Sequence, residues 1–115
     1  AKWLNILICS PDDGAWTNPG STLEQSGYQF LVRQNGTIDL YLLTAGGTSS
    51  SIGTASGTAF TLGTSYTMTV TVTPTTVSIT ANGTTVSATN STYRGSRFAI
   101  GRGNADIKVT SIAIG

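Results

Sequence analysis

From Tyr66 to Thr73 the chain alternates residue by residue, with apolar side chains at Tyr66, Met68, Val70 and Val72 and a threonine after each. A period of two puts one set of side chains on each side of an extended chain, so this stretch predicts a half-buried strand. Pro74-Thr75 then turns the chain, and Val77, Ile79 and Ala81 repeat the alternation. Asn82-Gly83 supplies the positive φ angles of a two-residue primed turn before Thr84 to Ala88 returns. A second hairpin uses the same device: Gly27 to Arg33, then Asn35-Gly36, then Thr37 to Leu43. Trp3 to Cys9, a short piece at Thr58 to Thr61, Arg97 to Ile100 and Asp106 to Ile114 bring the set to about nine strands. The spacing is that of an antiparallel β-sandwich, with no helix needed. In the last strand Ile107 and Val109 hold one parity while Ile112 and Ile114 hold the other, which predicts a β-bulge near Thr110-Ser111.

Composition gives this pattern its causes. Of 115 residues, 48 are Thr (21), Ser (13) or Gly (14), while only 10% are charged. Threonine suits the outer face of paired strands, and Gly suits the turns between them. The length fits one domain, residues 1–115, and the apolar content is enough for a single core. The chain opens at Ala1 on a strand-like segment without an initiator methionine or a signal peptide, which reads as a piece excised or processed from something longer.

Charge and residue types then narrow the function. Six dispersed cations and a net charge of +1 cannot neutralise the several phosphates on which nucleic-acid affinity rests. No apolar run is long enough to span a bilayer as a helix and no basic amphipathic helix is visible, so membrane insertion is not expected. Histidine is absent, which removes the commonest general base and transition-metal ligand. The single cysteine, Cys9, excludes an internal disulfide and a cysteine-based zinc site, and it ends an apolar strand as a small buried hydrophobe would.

Two loops stand out. Ser10 to Ser26 carries Asp12, Asp13, Gly14, Trp16 and Asn18, whereas Thr44 to Gly57 is nearly all Gly, Ser, Thr and Ala and reads as a surface excursion. Asn35, Asn82 and Asn90 each begin an Asn-x-Thr glycosylation pattern, but the first two already sit where a turn requires Asn-Gly.

The succession Gly27-Tyr28-Gln29-Phe30 leading to an Asn-Gly hairpin, then Gly63-Thr64-Ser65-Tyr66-Thr67-Met68-Thr69-Val70, Val77-Ser78-Ile79-Thr80-Ala81-Asn82-Gly83, Phe98-Ala99-Ile100-Gly101 and Ile107 to Ile114 resembles the concanavalin A-like jelly roll, in particular its laminin-G-like and pentraxin-like branch. The resemblance runs over about residues 27–114 and is made of structural positions, so it speaks for fold more than for function. It implies a jelly roll among lectins, carbohydrate-binding modules, glucanases, adhesion domains and appended domains of phage tails and capsids. The Thr/Ser/Gly-rich, lysine-poor composition looks like the phage-virion members, which would place the chain outside the cell or on a virion surface.

Glycanases of this fold carry strand-spaced carboxylates, because nucleophile and acid must face each other across the scissile bond. Here Glu24 is the only glutamate, Asp39 and Asp106 stand alone, and Asp12-Asp13 are adjacent in a loop, so no enzyme is expected. Binding is the stronger class. Trp16 flanked by Asp12, Asp13 and Asn18 has the make-up of a sugar site, an aromatic face beside hydrogen-bonding groups, although Trp16 could equally plug one end of the sandwich. The same Asp12, Asp13 and Asn18 offer hard oxygens to a calcium ion, as laminin-like relatives do, though the spacing fits no fixed calcium loop. A second cluster, Tyr93-Arg94 with Arg102 and Asn104, could grip an acidic sugar or a neighbouring subunit's carboxylates, or simply keep a strand edge soluble. The expected partners are therefore a glycan or a host surface receptor, or other virion subunits if the domain is purely structural. A homo-oligomer is compatible with either role, but nothing in the sequence encodes its symmetry.

Overall fold

The computed structural model describes residues 2–11, 26–44, 48–103 and 108–113. Among them are eight strands and no helix: β1 Trp3–Ser10, β2 Gly27–Arg33, β3 Thr37–Thr44, β4 Thr48–Ser56, β5 Met68–Val72, β6 Thr76–Ala81, β7 Thr84–Thr89 and β8 Arg97–Gly103. They form two antiparallel sheets, one ordered β4-β3-β2-β1-β8 and the other β5-β6-β7. The all-β, two-sheet architecture is thus the one the alternation predicts.

The two sheets close on one core. Ile6 and Ile8 of β1, Tyr28, Phe30 and Val32 of β2, and Ile38 and Leu40 of β3 meet Val77, Ile79, Ala81 and Val86 of the smaller sheet. These are the period-two positions of each strand, and nearly all are buried. Burying a side chain of this size removes it from water at about 1.5–3 kcal/mol apiece, and with no disulfide among the described residues this packing carries the stability. The opposite parity of the larger sheet is not a plain solvent face. Leu7 and Leu43 pack together there, and Asn5 and Gln29 are buried beside them.

The two Asn-Gly turns differ. Asn82 and Gly83 both have positive φ, at 49° and 79°, and Ala81 pairs with Thr84, which is the expected two-residue hairpin. At the first hairpin only Gly36 is left-handed, at 94°, and its N–H donates to the Arg33 carbonyl at 3.0 Å. That is a three-residue loop, a type I turn closed by a left-handed glycine. Gly36 is doubly required, since a Cβ there would also overlap the carbonyl of Gly57.

Four expectations need correction. The Thr44 to Gly57 stretch is no excursion: β4 runs through it and pairs with β3 from Thr37↔Ser56 to Thr44↔Thr48. An edge strand with one face in water tolerates Ser and Thr, so its composition disguises it. Thr58 to Thr61 is not a strand but a crossing segment at the turn end, held by Gly57 N–H to the Gly36 carbonyl at 3.0 Å and Phe60 N–H to the Gln34 carbonyl at 2.8 Å. The last predicted strand is absent as well, because residues 108–113 have no strand pairing and are exposed; 106, 107 and 114 lie outside the described residues. Alternation supplies a strand's faces, but a strand exists only when hydrogen-bonded to a neighbour, and this segment pairs with none among the described residues. The irregularities fall elsewhere than Thr110-Ser111: one between β3 and β4 after Leu40, the other between β1 and β8 after Leu7. Cys9 sits in the second with φ 58° and is buried, so it is the small hydrophobe expected of it, in a backbone conformation unusual for it.

Candidate functional site: the turn end around Arg33

The described loops sort to two ends of the molecule. At one end, here the turn end, the Gln34-Asn35-Gly36 loop, the 57–61 segment and the Asn82-Gly83 turn come together, for Asn82 Nδ2 donates to the carbonyls of Thr58 and Ala59 at 3.1 and 3.2 Å. At the other lie the Thr73 to Thr76 turn and the segment from Asn90 to Gly95, tied by Asn90 N–H to the Thr75 carbonyl and Gly95 N–H to the Cys9 carbonyl, each 2.9 Å. Strand β1 spans the distance between them, roughly 20 Å at about 3.3 Å per residue.

Arg33 is the centre of the turn end. It is the last residue of β2, opposite Trp3 of β1, and its parity points it to the outer face of the larger sheet. There its Nη1 forms an ion pair with Asp39 of β3. Asp39 also accepts from Thr54 Oγ1 at 2.6 Å and from Tyr41 OH at 3.4 Å. Burial alone would push the Asp39 carboxyl up, but the Thr54 and Arg33 hydrogen bonds, the Arg33 charge and Tyr41 outweigh it and hold the group below the ordinary carboxylate value. Arg33 is correspondingly held above its ordinary value. A carboxylate kept ionised in this way accepts hydrogen bonds and does not donate a proton at neutral pH.

Arg33 also lines an open depression of about 280 Å³ with Lys2, Gln34, Asn35, Ala59 and Phe60. Among the described residues, two cations, two amides and one aromatic ring line it, and no carboxylate does. Phe60 also makes an edge-to-face contact with Tyr66, the ring centres 4.9 Å apart. Beside the depression, the Trp3 indole lies over Gly103 of β8, where a Cβ would overlap the ring. Trp3 Nε1 and, two residues on along the same face, Asn5 Nδ2 are buried donors with no hydrogen-bond partner among the described residues, although Asn5 Oδ1 accepts from Gln29 Nε2 at 2.9 Å. Donors left unsatisfied in this way each cost about 1–3 kcal/mol, so they are unusual in a stable fold.

The opposite end holds Tyr93 and Arg94, and its arginine is committed to the protein itself. Arg94 Nε donates to the Thr73 carbonyl at 3.1 Å and Nη2 to the Asn90 carbonyl at 2.7 Å. Its Nη1 donates to the Tyr93 carbonyl at 2.5 Å and to Tyr28 OH at 3.3 Å, and the guanidinium lies 5.7 Å from the centre of the Tyr28 ring. Tyr28 OH donates to Asn90 Oδ1 at 2.5 Å and accepts from the Tyr93 N–H, while the two tyrosine rings meet edge to face. Arg94 also lowers the Cys9 thiol pKa, but burial is the larger effect and raises it overall, so the thiol stays protonated.

Of the residues singled out from the sequence, Asp12, Asp13, Trp16, Asn18 and Asn104 lie outside the described residues, and so does the calcium question that hangs on three of them. Tyr93 and Arg94 are neighbours in the knot just described. Arg102 is not with them: it pairs with Leu4, at the turn end, on the inner face of β8, and it makes interactions of its own there. The predicted second cluster is therefore divided between the two ends of the larger sheet. Sequence reading missed Lys2, Trp3, Arg33, Asp39, Tyr41 and Phe60 because they are scattered over the chain and only strand register joins them. One signal was present: Arg33, Asp39 and Tyr41 flank a hairpin at positions of the same parity. No group of three or more metal-ligating side chains occurs among the described residues. Compared with protein-family models, curated proteins and solved structures, the chain matches none.

Proposed function

We propose that the chain is a non-catalytic recognition module of the concanavalin A-like jelly-roll kind, displayed outside the cell or on a virion, and that it binds an acidic glycan at the turn end. The observation that carries this reading is the double role of Arg33, which lines the depression and anchors the Asp39–Tyr41–Thr54 network beside it. A sugar needs an apolar ring face, planar hydrogen-bonding groups and, if it bears a carboxylate, a cation. Phe60 offers the first, Asn35 and Gln34 the second, Arg33 with Lys2 the third. The Asp39 ion pair keeps the Arg33 guanidinium in place before any ligand arrives, which lowers the ordering cost of binding. The loop with Asp12, Asp13, Trp16 and Asn18 belongs to the proposal as a second contact region.

A glycan array tests this with the wild type, Arg33→Ala and Phe60→Ala, each checked for folding by its melting curve. The expected result is selective capture of carboxylate-bearing glycans that both substitutions abolish. Unchanged capture by both folded variants would remove the turn end from the account. A second reading, a structural or decoration domain that packs against other virion subunits, is favoured by the apolar side chains at the surface, where Phe98 is 51% and Ile100 40% exposed.

A further inference from the structure

The run Asn-Gly-Thr occurs at Asn35 and again at Asn82, and the fold holds the two asparagines differently. Asn82 is held by its amide nitrogen, which donates to the carbonyls of Thr58 and Ala59 at 3.1 and 3.2 Å. Asn35 is exposed and is held by its oxygen instead: Oδ1 accepts from the Thr37 N–H at 3.0 Å, and Nδ2 donates to no other described residue. An asparagine followed by glycine is open to one reaction above others, because glycine has no Cβ to shield its amide nitrogen. That nitrogen loses its proton to water or hydroxide and attacks the asparagine Cγ. The Cγ–Nδ2 bond breaks, ammonia leaves with a proton from water, and a cyclic imide remains. Water then opens the imide at either carbonyl, leaving aspartate or, with the main chain rerouted through the side chain, isoaspartate.

We propose that Asn35, and not Asn82, is the site of this conversion in the folded chain, and that the carboxylate it gains stands in the depression as an internal partner for Lys2 and Arg33. Three features separate the two asparagines. The leaving nitrogen is unheld at Asn35, whereas at Asn82 two hydrogen bonds must break before it departs. The Thr37 N–H draws charge onto Asn35 Oδ1, which makes Cγ the better electrophile. The anion formed on attack, and the carboxylate that follows, lie in a depression lined by Lys2 and Arg33, while a carboxylate at position 82 would face the two carbonyl oxygens that Nδ2 now serves. The Gly36 N–H must first leave the Arg33 carbonyl, an opening confined to the hairpin loop. The consequence for binding rests on the function proposed above: an anion fixed beside the two cations competes with an acidic glycan for them, so conversion switches glycan capture off as the protein ages.

Peptide mapping by mass spectrometry of the intact folded chain, incubated at mildly alkaline pH and sampled over weeks, tests the inference. The two asparagines are followed by the same two residues, so in strong denaturant they should convert at similar rates, which makes the unfolded chain the control. In the folded chain Asn35 should convert about tenfold faster than Asn82, the factor expected from two hydrogen bonds to the leaving nitrogen. Lys2→Gln, which removes one cation at an exposed position, should slow Asn35 and leave Asn82 unchanged. Equal rates at the two sites of the folded chain, or a faster Asn82, overturn the inference. Where wild type captures acidic glycans, Asn35→Asp should not, and undiminished capture overturns the competition. The mapping uses no glycan, so a chain that captured none would remove the proposed function while the site of conversion still stands or falls on the map.

Discussion

Arg33 and Arg94 are the same side chain at opposite ends of the larger sheet, each beside a tyrosine, and they do opposite things. Arg94 gives donors from all three nitrogens to the protein, three bonds to main-chain carbonyls and one to Tyr28 OH. Among the described residues Arg33 makes one ion pair, with Asp39, and interacts with Tyr41, at the rim of an open depression. A guanidinium that closes loops through carbonyls is part of the fold. One held by a single carboxylate at an open rim is pre-positioned and still able to bind. The two regions therefore separate what stabilises the molecule from what it can offer a partner.

Substitutions at the two ends should divide the same way. The largest effect belongs to Tyr28, which is fully buried and central to the knot. Tyr28→Ala should cost about 3–5 kcal/mol in denaturant unfolding, and Tyr28→Phe, which keeps the ring and loses only the hydroxyl, about 1–2 kcal/mol. A Phe variant as unstable as the Ala variant would mean that packing is not the major part. Gly103→Ala comes next, because its Cβ must displace the Trp3 indole; overpacking of this kind costs about 1–3 kcal/mol, read as a lower melting temperature with altered tryptophan fluorescence. Arg94→Ala should cost about 1–2 kcal/mol by loosening the Asn90 to Gly95 segment, which hydrogen exchange at the Gly95 amide would report. At the other end Asp39→Asn should cost less than about 1 kcal/mol, as partly exposed pairs usually do.

Asp39 also sets the sign of an acid effect. Its folded pKa lies below the ordinary value, so its contribution is fully present above about pH 4 and is lost as the pH falls through the folded value. Wild type should therefore lose stability relative to Asp39→Asn only below that range. Parallel curves for the two proteins from neutral to strongly acid pH would show that the Arg33 pair stabilises nothing.

The architecture was legible because most strands keep a strict period of two and a turn residue ends each one. What escaped did so for physical reasons. Strand β4 reads Thr-Ser-Ser-Ser-Ile-Gly-Thr-Ala-Ser, and only pairing with β3 reveals it as a strand. The segment ending in Ile112 has a strand's alternation over its first residues but no partner within the described chain, so pattern alone overstated it. Asn-Gly announced both hairpins, yet only the register told a two-residue loop from a three-residue one. The site was harder still. Arg94, Arg97 and Arg102 fall within nine residues of sequence, but β8 carries Arg102 to the far end, while Lys2, Arg33 and Phe60, distant along the chain, share one depression.

The division between the two arginines is tested most directly by measuring glycan-array capture and melting temperature together for Arg33→Ala and Arg94→Ala. Arg33→Ala should melt within a few degrees of wild type and lose capture, whereas Arg94→Ala should melt lower and still capture in proportion to its folded fraction. The opposite pattern, capture lost in a fully stable Arg94→Ala and kept in Arg33→Ala, would contradict the account.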